Sequence, residues 1–469
     1  MVDEYDVIVI GAGPGGEVAA GRCADGGLST AVVERELVGG ECSFWGCMPS
    51  KGLLRPGGVL GVAGRVPGAR EAITGELDVA AGLARRNEIT NNWDDKYQAQ
   101  WLDEKRVDLI RGHGRLAGPS TVEVATDDGG SRHLRARKAV VVATGSTAAV
   151  PPIEGLRDIR IWDNRDVTAA KEVPERLLVL GGGAVGVEMA QAWRSFGSQE
   201  VTVIEAMDRL LPMEEPFAGH ELEAAFEAEG ISVITGVRMV AASRQGHDGP
   251  VTAKLEDGRQ LSADEILVSV GRRPKTADLG LETIGLEPGH FIEVDDHMRA
   301  TGVAEGWLYA IGDANGRALL THMAKYHARV AADELLDKKL HGAAEHQAIP
   351  RIVFTDPQVA AVGLTEQQAN DKGMRVKTAK CDISDVAGAT VTGIDVAGTV
   401  QLVVDEQREV LVGATLVGSD IGDMLHAATI AIVGEVPLGR LRHAVPSFPS
   451  ISEVWLKAIE NYDSSKEDQ

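Results

Sequence analysis

Cysteine is scarce: four residues in a chain of 469. That excludes a disulfide scaffold and fits a reducing compartment. Positive charge is also short, with 47 Lys and Arg against 70 Asp and Glu, a formal net charge of −23. Such a surface repels phosphate backbones and anionic bilayers, so neither nucleic acid nor a membrane is expected as a partner. No apolar run reaches the eighteen or so residues of a membrane span. The chain opens on Asp3 and Glu4 and not on a basic segment. The apolar run Val7 to Ile10 therefore reads as a strand and not as a signal peptide, and a cytoplasmic location is expected. Low-complexity tracts and short-period repeats are lacking too. The length suggests roughly three domains.

A strand-like run from Tyr5 to Ile10 ends in Gly11-Ala-Gly13-Pro-Gly15-Gly16, followed by a helical stretch to Cys23 and a second apolar run, Thr30 to Val33, closed by Glu34. Gly11 permits a tight turn, Gly13 lets the backbone approach a pyrophosphate, and Gly16 allows close packing. The helix N-terminus then faces phosphate and Glu34 reaches ribose hydroxyls. Alone, this pattern is also compatible with nothing more than a sharp turn. It recurs, however: strand Leu177 to Leu180, Gly181-Gly-Gly183-Ala-Val-Gly186, helix Val187 to Trp193, strand Val201 to Ile204 and then Glu205. Two dinucleotide sites in one chain are explained most simply by hydride transfer between a nicotinamide and a flavin. Glu205 would accept from a ribose 2′-hydroxyl and repel a 2′-phosphate, favouring NADH, although nearby Arg209 leaves NADPH open.

Cys23 and Cys381 stand alone and read as packed thiols. Cys42 and Cys47 lie in Gly39-Gly40-Glu41-Cys42-Ser43-Phe44-Trp45-Gly46-Cys47-Met48-Pro49-Ser50-Lys51. Residues five apart in a regular helix have Cα atoms roughly 8–9 Å apart, whereas a disulfide needs less than about 7 Å. The pair closes only if the turn is irregular, and Gly40, Gly46 and Pro49 supply that irregularity. The competing reading is two unpaired core thiols.

This segment resembles the redox motif of the flavoprotein disulfide reductases, the family of dihydrolipoamide dehydrogenase, glutathione reductase and mercuric reductase. The resemblance covers nearly the whole chain. It includes Val141-Val-Ala-Thr144-Gly145, Val270-Gly271-Arg272-Arg273-Pro274, and Leu308-Tyr309-Ala310-Ile311-Gly312-Asp313, whose aspartate would contact the ribityl chain. Ile349-Pro350 to Gly363, with Val353-Phe354-Thr355-Asp356-Pro357, resembles the start of the family's interface domain. The resemblance implies an α/β fold with two Rossmann-like domains, for FAD and NAD, plus a C-terminal α+β dimerisation domain. Expected boundaries are 1–150 and 272–346 for the FAD domain, 151–271 for the NAD domain and 347–469 for the interface. FAD would be held by Gly11, Gly13, Gly16, Glu34, Thr144, Gly145 and Asp313, and NAD by Gly181, Gly183, Gly186, Glu205 and Gly271. No metal site is expected. Cys42 would be the interchange thiol and Cys47 the charge-transfer thiol. Lys51 would pair with Glu188 beside flavin N5, a role that context favours over a solvated surface lysine.

One part of the pattern is missing. Disulfide-reducing members carry a His-Pro-Thr-x-Ser-Glu segment whose histidine, from the partner subunit of a homodimer, protonates the leaving thiol. Here the stretch is Phe448-Pro449-Ser450-Ile451-Ser452-Glu453, so Glu453 is kept and Phe448 replaces the histidine. A register through Val445-Pro446-Ser447 also lacks it. Mercuric reductases lack it as well but add a C-terminal cysteine pair, whereas this sequence closes on Ser464-Ser465-Lys466-Glu467-Asp468-Gln469. The expectation is therefore electron transfer from NADH through FAD and the cysteines to a small non-disulfide acceptor such as a quinone, with Phe448 and Trp45 making the pocket aromatic. Two alternatives stand beside it. One is a small-disulfide reductase of dihydrolipoamide dehydrogenase type with His443 as substitute base. The other is a flavoprotein component or redox sensor with weak NADH oxidase activity.

Elsewhere, Thr399 to Val404 and Val410 to Val417 read as strands and Asp420 to Val433 as a helix. Trp93, Tyr97 and Trp101 share a helical spacing that reads as packing. The Gly, Ala and Pro-rich stretch from Arg55 to Gly82 is predicted to interrupt a helix or form a loop.

Overall fold

The computed structural model describes residues 2–338 and 342–467; positions 468 and 469 of the cysteine-free end lie outside it. By contacts the chain falls into two compact units, one formed by Met1–Pro49, Arg86–Ala149 and Gly271–Glu345, the other by Ser50–Arg85, Val150–Val270 and His346–Gln469.

The first unit is built on a seven-stranded sheet in which strand Val2–Ile10 lies parallel to Thr30–Glu34 and to Ser131–Val142. Val7, Ile8 and Val9 are fully buried, as a parallel strand covered on both faces requires, which is why the run is apolar without alternation. Helix Pro14–Asp25 leaves the glycine turn, and helix Thr321–Leu335 packs along it, Ala324 meeting Gly15. A two-stranded antiparallel pair, Ser146–Ala148 with Arg272–Pro274, also belongs to the unit.

The second unit holds a parallel sheet in the order Ile231–Ile234, Glu200–Ile204, Arg176–Leu180, Glu265–Val268, with helix Ala184–Ser195 leaving the second glycine turn. It also holds a five-stranded antiparallel sheet, in which Thr399–Asp405 pairs with Val410–Gly418. Helix Leu425–Val433 follows a short 3-10 turn, Ile421–Met424, so the expected helix starts late.

Two expectations need correction. Helix Cys47–Gly64 runs straight through Pro56, and the loop begins only after it. Leu53 and Leu54 are buried in one cluster with Val187 and Trp193, and that packing outweighs the local penalty of proline. The second concerns the aromatic stripe. Asn91, Asn92 and Trp93 all have positive φ (47°, 54° and 58°), and the helix begins only at Lys96. Trp93 is therefore off the helix that carries Tyr97 and Trp101; Trp101 packs on Gly21, while Tyr97 is exposed. Among the described residues no helix is long and apolar enough to cross a membrane.

Candidate active site

The two glycine turns are built alike. Gly11 has φ +99°, and a Cβ there would stand 2.5 Å from the Ala143 carbonyl oxygen; at Gly16 it would stand 2.0 Å from that of Gly11. Gly13, by contrast, faces open space, with nothing within 4 Å of such a Cβ. The second turn repeats this: Gly181 at φ +107°, Gly186 at 2.0 Å from the Gly181 oxygen, and Gly183 open. Side chains are excluded where the turn closes and room is left where a pyrophosphate approaches, so both turns fit a dinucleotide.

The two acids also match. Glu34 accepts from the Ala12 and Glu36 N–H groups at 2.6 and 2.8 Å. Glu205 accepts from those of Gly182 and Met207 at 2.7 and 2.8 Å. Each carboxylate pins its own glycine turn and keeps lone pairs for a ribose. Arg209 is turned to Asp208 and the Pro212 carbonyl.

In the first unit the Thr144 hydroxyl is buried with no protein hydrogen-bond partner, an unmet polar atom that suits a bound cofactor. Gly145 has φ +72° and its carbonyl accepts the Lys275 N–H. Asp313 is held above the usual carboxylate range by burial, opposed by the Ser146 hydroxyl that donates to it at 2.5 Å. Arg272 donates to that same hydroxyl at 2.6 Å, and Lys275 reaches Glu41 at 3.3 Å. Since Glu41 precedes Cys42, the second FAD motif and the cysteine loop share one polar chain. Glu17, at the start of its helix, is pushed up to about 7 by burial, against the pull of Lys325. Gly271, expected at the NAD site, falls in this first unit, its carbonyl accepting the Ala149 N–H.

The cysteine segment is irregular in the way its spacing requires. A short helix, Gly40–Phe44, ends at Trp45 with φ −139°, and a new helix starts at Cys47. Gly39 donates to the Ala12 carbonyl at 2.7 Å, and Gly40 lies against Gly13. The cysteines are thereby anchored to the first glycine turn. Cys42 and Cys47 are both half-buried, whereas Cys23 and Cys381 are buried. Cys42 is pushed well above the usual thiol range, chiefly by its hydrogen bond with Cys47 and then by burial. The Cys47 sulfur lies 3.2 Å from the Thr321 hydroxyl, at the first residue of helix Thr321–Leu335. Sequence reasoning missed Thr321, which stands 274 positions away. Cys23 and Cys381 are buried, and burial pushes their thiols up to about 12 and about 11.

In the second unit Lys51 Nζ donates to Glu188 at 2.7 Å, with Glu188 only 5% exposed. The other Glu188 oxygen accepts the Phe354 N–H at 2.9 Å, and the Phe354 ring lies 4.7 Å from the ammonium. The sequence motif around Phe354 does not announce this role. Glu453 accepts from the Gly388 and Ser450 N–H groups at 3.1 and 3.2 Å, so its carboxylate fastens the loop that carries Phe448. Phe448 itself is 78% exposed, and Val445 and His443 are exposed beside it.

Comparison with known proteins gives these features a context. Residues 5–328 match the family model described as pyridine nucleotide-disulphide oxidoreductase, and residues 349–459 match its dimerisation domain. A dihydrolipoyl dehydrogenase of Chlorobaculum tepidum is 35% identical over 97% of this chain and 96% of its own. A mercuric reductase of Staphylococcus aureus is 31% identical over 92% of this chain and 77% of its own. Among solved structures, a Cu(II) complex of the HOCl-induced flavoprotein disulfide reductase RclA from Escherichia coli aligns with a TM-score of 0.85 at 26% identity, covering 98% of this chain and 99% of that one. The chain is thus an oxidoreductase that belongs to the pyridine nucleotide-disulphide oxidoreductase family, the flavoprotein disulfide reductases.

Proposed function

We propose that the protein, as a cytoplasmic homodimer, oxidises NADH with FAD and the Cys42–Cys47 pair and delivers the electrons to a non-disulfide acceptor such as a quinone: NADH + H⁺ + quinone → NAD⁺ + quinol. FAD supplies the step between two-electron hydride chemistry and the thiols. The chain's own residues do the rest. The Glu205-pinned turn binds the nicotinamide dinucleotide and favours the form without a 2′-phosphate. Lys51, held by Glu188, would supply a fixed positive charge to a bound flavin. Thr321 offers its hydroxyl to Cys47.

The observation that carries the acceptor is Phe448. A phenyl ring exposed at this position transfers no proton, and one oxygen of Glu453 already accepts two backbone N–H groups. A disulfide substrate needs its leaving thiolate protonated, help worth about 10²–10⁴ in rate; a quinone takes its protons from solvent. A second reading is reduction of a copper ion, because the similar RclA was solved as a Cu(II) complex and thiolates favour the Cu(I) that one-electron reduction would give.

Steady-state NADH oxidation by the holoenzyme, with naphthoquinones, Cu(II), lipoamide and oxidised small thiols as acceptors, tests this directly. Quinone turnover well above disulfide turnover is expected, and Phe448→His should raise disulfide turnover by about tenfold or more. Robust disulfide turnover by the unaltered protein overturns the reading.

A further inference from the structure

We infer that Trp93 is a positioning residue for the cysteine pair: its indole N–H holds the broken helix end between Cys42 and Cys47 in the form from which the disulfide closes. The inference rests on reading those cysteines as a redox pair.

The carbonyl of Phe44 is the last of the short helix Gly40–Phe44, at the point where the chain leaves helical geometry before restarting at Cys47. End carbonyls of a helix lack intrahelical partners, and Phe44 is buried, at 1% exposure. The Trp93 indole donates to this carbonyl at 3.1 Å. Delivering that donor is costly for the backbone: Asn91, Asn92 and Trp93 all occupy the left-handed region, where non-glycine residues are uncommon and need compensation from their surroundings. Arg86 lies beneath the ring, its guanidinium carbon 5.4 Å from the ring centre and the residue 2% exposed. The Phe44 and Trp45 rings stand 5.8 Å apart on the loop itself. A surface tryptophan needs none of this.

The physical consequence follows from helix geometry. If residues 42–47 regularise into one helix, the two Cα atoms separate to roughly 8–9 Å, beyond the reach of a disulfide. A bond that keeps Phe44 at a helix end opposes that relaxation. The dithiol is then held ready to close, and the disulfide is favoured. Losing the bond lets the dithiol relax and makes the pair easier to reduce.

The test is the equilibrium protein(SH)₂ + GSSG ⇌ protein(S–S) + 2 GSH, in which the protein dithiol is oxidised and glutathione disulfide reduced. It is read on the FAD-loaded protein by thiol trapping across glutathione buffers. Trp93→Phe keeps a ring over Arg86 and removes the N–H. It should shift the equilibrium toward the dithiol by about three- to tenfold, equivalent to roughly 15–30 mV. Arg86→Met should shift it the same way by less, and it carries the test if Trp93→Phe does not fold. A variant equilibrium within about twofold of the unaltered protein overturns the inference, even if thermal stability falls. If the unaltered pair shows no reversible two-electron oxidation at all, it is the redox reading itself that fails.

Discussion

Thr321 shows how much one hydroxyl controls. Its oxygen lies 3.2 Å from the Cys47 sulfur, and a hydrogen bond to an ionised group contributes about 1.5–3 kcal/mol. A hydroxyl that turns its hydrogen to this sulfur favours the thiolate, so removing it should disfavour the Cys47 thiolate. Thr321→Val keeps the branched shape and removes the hydroxyl. In the reduced holoenzyme the thiolate-to-flavin absorbance should then appear at correspondingly higher pH, while NADH binding stays near its original strength. A pH profile that does not move would show that the contact is only packing. Residues such as Cys42 and Cys47 were legible because their spacing and flanking glycines constrain each other locally. Thr321 was not, because its partner is brought to it only by the packing of one helix on another. Phe354 stayed hidden for a similar reason: what it does depends on Lys51 and Glu188, both far from it in sequence.

Strands and glycine turns were legible as elements, since burial on both faces forces continuous apolar runs such as Val7 to Ile10. Helix continuity was not. Pro56 is carried by the burial of Leu53 and Leu54, and Trp93 leaves its expected helix for a left-handed turn that no local propensity announces. The glycine turns also change what an acidic substitution should do. Glu205 suits a ribose acceptor by sequence position, yet its two oxygens also hold the Gly182 and Met207 N–H groups. Glu205→Ala leaves the buried Gly182 N–H unmet, at about 1–3 kcal/mol, and leaves the more exposed Met207 N–H to solvent. The expected outcome is a KM for NADH raised by about tenfold or more, with no absolute gain in kcat/KM for NADPH even though the ratio between the two moves toward NADPH. Kinetics with both cofactors decide the point. A true rise in NADPH efficiency would mean that the carboxylate serves only to reject the 2′-phosphate.

At the scale of the whole molecule the controlling quantity is charge. A net −23 spread over one chain gives a field that is negative at long range, whatever the local cations do. Salt shortens the reach of that field to about 8 Å at 0.15 M. Acceptors of one shape and different charge should therefore separate as ionic strength changes. A sulfonated naphthoquinone must approach against the field, and an uncharged naphthoquinone feels almost none of it. Between about 10 mM and about 300 mM salt, kcat/KM for the sulfonate should rise by roughly three- to tenfold, while the value for the uncharged quinone stays within about twofold. The effect belongs in kcat/KM and not in kcat, because steering acts on encounter and not on the bound complex. If both acceptors respond alike, charges local to the acceptor's binding place outweigh the global field. The anionic surface would then have no part in choosing the acceptor.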